Sequence, residues 1–500
     1  MIRSVIRTCP LCESTCGLEL TFSGERLTDI RGDRLDVFSG GYLCPKGTTL
    51  GQLHSDPDRL RAPLVRQRGR FVEASWDEAF ERVWQLFEPV LRDGGPEATA
   101  IYQGNPVAHT MSLTLYPSVV VRALRTTKIF TASTVDSRPR DLSSALVFGE
   151  RFSCPIPDVD RTDFLLVLGA NPAVSNGSLA TAPNWPGRLK ALTGRGGTLV
   201  VVDPRRTRTA ELATEHLAVR PGGDAALLLG MLQVIFADRL VRLGRADGLV
   251  TRLDQVRELV APFTPERVAG RTGLDPATVR RVARAFAGAR TACAYGRMGT
   301  TTGPHGTVTT WLIDLLNILT GNLDSPGGAM FTRPAAKWAS NARGGPRYGK
   351  PLRLHRYRSR VRGAGETLGE LPVNCLAEEI DTPGEGQIRA LVTVAGNPVV
   401  SAPDVARLDR ALAGLDAMVA VDCFVNETTR HADVILPPPS VLERPHYDFA
   451  MMQYAVRNVA NYSPAPLDPP PGQPHEWELL CRLAGALRGE PDADPNAEDE

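Results

Sequence analysis

The chain has 500 residues, 42% of them hydrophobic and 23% charged, with a formal net charge of +1. That length excludes a single small domain, about three domains being the expectation, and the balanced charge excludes bulk attraction to nucleic acid or an anionic membrane surface. No apolar run approaches the roughly 20 residues of a membrane span; the helix-like run 226–241 is interrupted by Gln233, Asp238 and Arg239.

Residues 1–8 hold two arginines and no apolar h-region before Cys9. No export signal is expected from them, and the cytoplasm is the expected compartment. The first 60 residues are rich in Gly, Thr and Cys and short of long periodic runs, which fits a small domain stapled by a ligand. A helix is predicted to start at Ser75-Trp76-Asp77-Glu78, which reads as a capping box. Ala79, Phe80, Val83, Trp84 and Phe87 form its apolar stripe. Strands and helices then alternate. Phe164–Leu168 and Thr198–Val202 are continuous apolar runs bounded by Gly, Asn, Pro and Asp, the pattern of buried parallel strands. Helices are predicted over 276–289 and 308–319. The stretch 325–365 is rich in Arg, Lys, Gly and Pro, contains no Asp or Glu, and reads as a long loop or insertion. After Tyr462 comes a Pro-rich stretch, then a helix-like segment at Glu476–Leu487, then an acidic tail expected to be disordered. The fold class is α/β.

The chain also repeats itself. Phe164–Leu168 is followed by Gly169-Ala170-Asn171-Pro172, and the run 391–395 by Gly396-Asn397-Pro398. Each unit then has Ala-Pro (Ala182-Pro183, Ala402-Pro403), Ala-Leu eight residues beyond that Pro (Ala191-Leu192, Ala411-Leu412), and a second apolar strand ending in Asp203 or Asp422. The plainer explanation is that doubly wound α/β proteins reuse such units generally.

Of the nine cysteines, Cys9, Cys12, Cys16 and Cys44 form C-x2-C-x3-C-x27-C followed by Pro45-Lys46-Gly47. Nine in 500 residues do not make a disulfide scaffold. Four thiolates are what a cubane iron–sulfur cluster needs. A four-cysteine zinc site, which more often shows two C-x2-C pairs, and four unrelated buried cysteines are the alternatives.

The cysteine triplet, the distant Cys-Pro-Lys-Gly and Ser-Trp-Asp-Glu-Ala at 75–79 together resemble the N-terminal signature of the bis-molybdopterin guanine dinucleotide oxidoreductases, which include formate dehydrogenases and periplasmic nitrate reductases. The resemblance continues through Gly169-Ala170-Asn171-Pro172, Asp203-Pro204-Arg205-Arg206-Thr207, Arg220-Pro221-Gly222-Gly223-Asp224, Thr320-Gly321-Asn322, Glu427-Thr428 and Ala432-Asp433-Val434-Ile435-Leu436-Pro437. It implies a [4Fe–4S] cluster on Cys9, Cys12, Cys16 and Cys44, a bis-molybdopterin guanine dinucleotide carrying Mo or W, and Lys46 between cluster and pterin. A surface lysine is the usual alternative. Two dinucleotides need two loops at strand carboxyl ends, where backbone N–H groups face the pyrophosphate. Gly169, Asn171 and Asp203 would serve one, and Gly396, Asn397 and Asp422, with Glu427 nearby, the other. Arg205, Arg206 and Thr207 suit phosphate contacts. Gly222 and Asp224 add a turn beside the first site, and Gly296, Gly299 and Gly303 would let backbone approach a cofactor.

One departure stands out. Many family members ligate the metal through a Cys, selenocysteine, Ser or Asp about six residues after an Asp in an Asp-x3-Arg run. Here the run is Asp136-Ser137-Arg138-Pro139-Arg140, and the sixth position is Leu142, which cannot coordinate. A one-residue shift would recruit Asp141; otherwise no protein atom binds the metal. His109 and His305 are the candidates for moving protons, each with a structural role as the alternative. Arg333, Arg343 and Arg347 would line a funnel for an anionic substrate, or form a solvated loop or docking patch.

The expected architecture is a cluster domain at 1–60, a discontinuous molybdopterin-binding α/β domain at 61–135 and 331–475, a second dinucleotide-binding α/β domain at 136–330, and a helix with an acidic tail at 476–500. The family's C-terminal β domain is not seen, so the chain is read as a possible leading part of a longer protein. The expected function is two-electron redox of a small molecule at Mo or W, with electrons relayed through the cluster to a redox partner protein. The rival is an electron-transfer or scaffold subunit of the same fold without the metal, as in the cluster-bearing subunits of respiratory complex I. A zinc-stapled binding module is a third reading.

Overall fold

The computed structural model of the chain describes residues 1–336 and 352–499. Arg343 and Arg347 lie outside the described residues.

Two parallel sheets organise the molecule. In the first, Glu215–Leu217, Thr198–Val202, Phe164–Leu168 and Ala292–Gly296 lie side by side in that order, all parallel. In the second the order is Arg70–Glu73, Leu64–Gln67, Val434–Leu436, Ala417–Val421, Ala390–Val394, Thr99–Gln103 and Ile129–Thr131. Its last five strands are parallel, and an antiparallel hairpin closes the other edge.

Strand alternation sorts the cores. Phe164, Leu166 and Leu168 face helices Asp224–Ala237, Pro276–Gly288 and Gly306–Leu319, while Leu165 and Val167 face the opposite layer, with Leu189, Leu192 and Trp185. In the larger sheet Ala390, Val392 and Val394 pack with helices Trp76–Gly94, Pro117–Leu124 and Glu476–Leu487, and Leu391 packs on the other face. Both faces are covered, so these strands read as unbroken apolar runs.

The terminal helix Glu476–Leu487, set apart in the sequence reading, shares the larger sheet's core. The acidic end beyond it, expected without order, folds back. Residues Glu490 and Ala493 approach Gly485 too closely for a side chain there, and a short helix follows at Pro495–Asp499.

The capping box forms as the sequence predicts. Ser75 Oγ accepts the Glu78 N–H at 3.2 Å, and the Glu78 carboxylate accepts the Ser75 N–H at 2.8 Å. Ser75→Ala is expected to cost about 1 kcal/mol, read as a lower denaturation midpoint.

One buried carboxyl conflicts with its surroundings. Asp314, within the apolar helix Gly306–Leu319, has an Oδ2 without a hydrogen-bond partner. Burial pushes its pKa up to about 7, with Arg140 pulling the other way. The folded value thus lies above the unfolded one. The protonated carboxyl is tolerated at low pH, and stability is lost as pH rises toward about 7. Asp314→Asn removes that penalty, so its gain in Tm should be larger at pH 8 than at pH 5.

Candidate functional site

The first 55 residues build a cage of thiols. Ile2–Thr8 and Gly17–Ser23 pair antiparallel, and their connection carries Cys9, Cys12 and Cys16. Cys9 N–H donates to Cys16 O at 2.8 Å and Thr15 N–H to Cys12 O at 3.2 Å, so the loop folds on itself. Cys44 caps the helical turn Pro45–Thr48. Gly47 in that turn packs under Cys9, where an added Cβ would come within 3.9 Å of its Sγ. All four thiols are free. Burial raises Cys9 to about 12, against the pull of a Leu11 N–H hydrogen bond, and Cys12 and Cys44 add to the rise. Cys16 is raised by burial and then by the charges of Cys9, Cys12 and Cys44. Cys9, Cys12 and Cys44 thus lie near enough to Cys16 for their charges to oppose its ionisation. Among the described residues no three His, Cys, Asp or Glu side chains are grouped as a single metal ion requires. A cubane makes a different demand, with each cysteine taking its own iron around a wider body.

The second feature is the pair of repeated loops, each at a strand's carboxyl end where the strand order reverses. Such switch points form the ligand crevices of open α/β sheets. Asn171 Oδ1 accepts the Thr209 hydroxyl at 2.7 Å, and Thr209 Oγ1 accepts the Ala173 N–H at 3.1 Å. In the other sheet Asn397 Oδ1 accepts the Thr428 hydroxyl at 2.7 Å, and Thr428 Oγ1 accepts the Val399 N–H at 3.1 Å. Asp203 accepts the Arg205 N–H and Asp422 the Phe424 N–H, at 2.8 and 3.2 Å. The two asparagines share one backbone conformation, φ −126° and ψ 64° against φ −116° and ψ 70°.

Each loop also meets bare backbone across its crevice. Gly299 N–H donates to Gly169 O at 2.9 Å, and a Cβ on Gly169 would lie 2.8 Å from Gly299 carbons. In the larger sheet Gly396 packs on Gly104, where an added Cβ would come 2.9 Å from Gly104 Cα.

Models of known families match almost the whole chain. Residues 59–486 match the molybdopterin oxidoreductase model and residues 3–55 the molybdopterin oxidoreductase Fe4S4 domain. The chain belongs to the molybdopterin oxidoreductase family. Among curated relatives, the alpha subunit of an F420-dependent formate dehydrogenase from Methanocaldococcus jannaschii is 25% identical, the match covering 96% of this chain and 69% of that protein. A nitrate reductase from Symbiobacterium thermophilum is 30% identical, over 86% of this chain and 59% of that protein. Acetylene hydratase from Pelobacter acetylenicus superposes with a TM-score of 0.78 at 20% identity, over 98% of this chain and 70% of that one, a likeness of fold. The chain thus spans between 59% and 70% of the length of these three proteins.

The residues present fit the family's cofactors. The four thiols suit an iron–sulfur cluster. The crevices offer backbone without side chains and carboxylates without cations. Asp224, beside Asp203, is pushed up to about 6 by burial and then by the Asp203 charge, and neither has an ion-pair partner among the described residues. A pair of acceptors in a half-dry crevice suits the N–H donors of a guanine base or ribose hydroxyls.

The other predicted residues sort themselves by position. Lys46 is exposed, and its charge acts on both Cys12 and His109. His109 is buried beside it. His305 is exposed at the start of Gly306–Leu319, where its carbonyl accepts the Thr309 N–H. Asp141 is buried and engaged, with Arg138 at 2.9 Å and Arg151 at 3.7 Å, while Leu142 is half-buried in the same helix. Thr207 is occupied as a helix cap, accepting the Ala210 N–H at 3.2 Å, while Arg205 is exposed beside it. Gly222 turns with φ +75° ahead of Asp224. Glu427 accepts the Asn397 side-chain amide at 2.7 Å.

The sequence reading did not single out Thr209, Gly104, Glu13 or Asp448. For the first two a signal existed. Thr209 and Thr428 each stand six residues after the repeat's Asp, and 104–106 is a further Gly-Asn-Pro.

Proposed function

We propose that the chain carries out two-electron oxidation or reduction of a small molecule, with a bis-molybdopterin guanine dinucleotide across the two crevices and a [4Fe–4S] cluster on Cys9, Cys12, Cys16 and Cys44 passing electrons to a redox partner protein. The observation that carries this reading is the matched Asn–Thr clasp at both switch points. A scaffold that had lost its cofactor would have no use for two intact loops.

Molybdenum or tungsten bound by pterin supplies the two-electron chemistry. The chain does the rest. Asn171 and Asn397 hold their loops open, and the glycine contacts keep side chains out of the crevices. Asp203 with Asp224 on one side, and Asp422 on the other, accept hydrogen bonds from the nucleotide ends. Lys46 offsets the charge of a thiolate-bound cluster. The cluster-to-pterin direction fits His109 and Lys46 standing together at the junction. Formate and nitrate are the substrates to assay first, since relatives carry those names.

Elemental analysis of anaerobically purified protein tests the reading. About four irons and about one molybdenum or tungsten per chain are expected. Iron without either heavy metal, from a host that makes the cofactor, would favour the electron-transfer subunit, and zinc without iron would overturn both.

A further inference from the structure

His109 is joined to two carboxylates that come from distant parts of the chain. Its Nδ1 lies 2.9 Å from an Asp448 oxygen, and its Nε2 lies 3.9 Å from Glu13 Oε2. Asp448 has a side chain 0% exposed, its other oxygen accepts the Met451 N–H at 2.8 Å, and His109 is its cation among the described ion pairs. Glu13 stands inside the cysteine loop, next to Cys12, and its charge acts on that thiol. A buried carboxylate with a single basic partner favours the charged form of that partner. Burial works against the His109 proton, but the hydrogen bond and charge of Asp448, then the charge of Glu13, outweigh it and hold its pKa above the ordinary value, with Lys46 opposing. The neighbouring buried His446 is pushed down to about 3 by burial, Arg7 and Arg444 and stays neutral.

We propose that His109 is a positioning residue for electron transfer: clamped by Asp448, it holds one positive charge against the Glu13 side of the cysteine loop and so raises the reduction potential of the cluster bound there. The inference rests on the [4Fe–4S] reading above. Reduction adds one negative charge to the cluster. A fixed cation nearby in a medium of low dielectric favours that reduced form. A charge on the surface would be screened by solvent; His109 is shielded, its side chain only 8% exposed between Asp448 and Glu13.

The test is an EPR-monitored redox titration of the full chain, purified anaerobically, with the variants His109→Gln and His109→Lys. Glutamine is expected to shift the cluster midpoint to more negative potential with iron content unchanged, and lysine, which restores the charge, to return it toward the parent value. A midpoint unmoved by His109→Gln overturns the proposal. So does an equal shift in both variants, which would mark a change of packing. If His109→Gln fails to load iron, His109→Asn carries the test, since it removes the same charge with a smaller amide. The same negative shift is then expected, and an unmoved midpoint or a positive shift overturns the idea. A parent chain with no iron and no reduced-cluster signal would instead sink the cluster reading itself, a result distinguishable from all of these.

Discussion

Cys16→Ser is expected to empty the N-terminal site: iron per chain should fall from about four to near zero, and the broad visible absorbance of the cluster should go with it. Cys16 has a double role. Its carbonyl receives the Cys9 N–H that closes the loop, and its side chain is buried among Leu18, Leu20, Phe22, Leu50 and Leu442. A serine hydroxyl there is a harder and poorer ligand for iron than a thiolate, and it brings a polar group into an apolar pocket. Without the cluster, Cys9, Cys12, Cys44 and a hydroxyl remain in a loop held by a few backbone hydrogen bonds. Faster proteolysis within residues 1–55 should therefore accompany the iron loss. Cys375→Ser is the control, because Cys375 is buried in a different cluster, among Leu371, Val373, Leu376 and Ile380. It should cost stability and leave iron content unchanged. Iron retained in full by Cys16→Ser would remove Cys16 from the ligand set.

What the sequence made legible, and what it hid, divides by the range of the interactions involved. Phe164–Leu168 and Thr198–Val202 were recognisable because a strand buried on both faces must be apolar at every position, and because Gly, Asn, Pro and Asp mark its ends. The repeat was recognisable for the same reason, and the Asn–Thr clasps explain why it persists. Each loop needs an acceptor at the Asn and a hydroxyl six residues past the Asp. The spacing of Cys9, Cys12, Cys16 and Cys44 suggested a shared ligand, with a zinc site and four unrelated cysteines as alternatives. The His109–Asp448 contact was not legible, since it joins positions 339 residues apart and nothing local in Tyr447-Asp448-Phe449 signals a partner. Arg7 was hidden likewise. It is fully buried and donates to the carbonyls of Val441, Arg444 and Pro464, stitching the first strand to a loop more than 400 residues away. Thr207 shows what spacing alone hid: its hydroxyl oxygen accepts the Ala210 N–H as a helix cap, and its O–H can still donate to a phosphate.

Gly104→Ala should be the most damaging of the conservative changes, and Gly169→Ala the lesser of a matched pair. The left-handed backbone at Gly169, φ +54°, is not the reason for glycine there. Ala395 occupies the same place after the central strand of the larger sheet, with φ +48°, and carries a methyl group. The reason is the crevice. At Gly169 a methyl carbon would sit 2.8 Å from Gly299 carbons and 2.9 Å from the Thr300 nitrogen, all backbone. At Gly104 it would overlap the Ala395 carbonyl oxygen, far inside van der Waals contact distance. Backbone has no rotamer to escape into, so the strand ends must separate. Overpacking of this kind costs about 1–3 kcal/mol where side chains can give, and more where they cannot. Gly104 N–H also donates to Val394 O at 2.9 Å, and Arg297 N–H donates to Leu168 O at 3.2 Å in the equivalent place. Parting the strands therefore strains a bond at the lip of each crevice. Thermal unfolding should rank the variants Gly104→Ala below Gly169→Ala below the parent. Guanine nucleotide released by acid hydrolysis should fall in each variant from about two per chain toward about one, because each lesion spoils one of the two crevices proposed to take a dinucleotide. A variant that loses stability while keeping the full nucleotide complement would separate the glycine contact from cofactor binding and move the dinucleotide site elsewhere on the sheet edge.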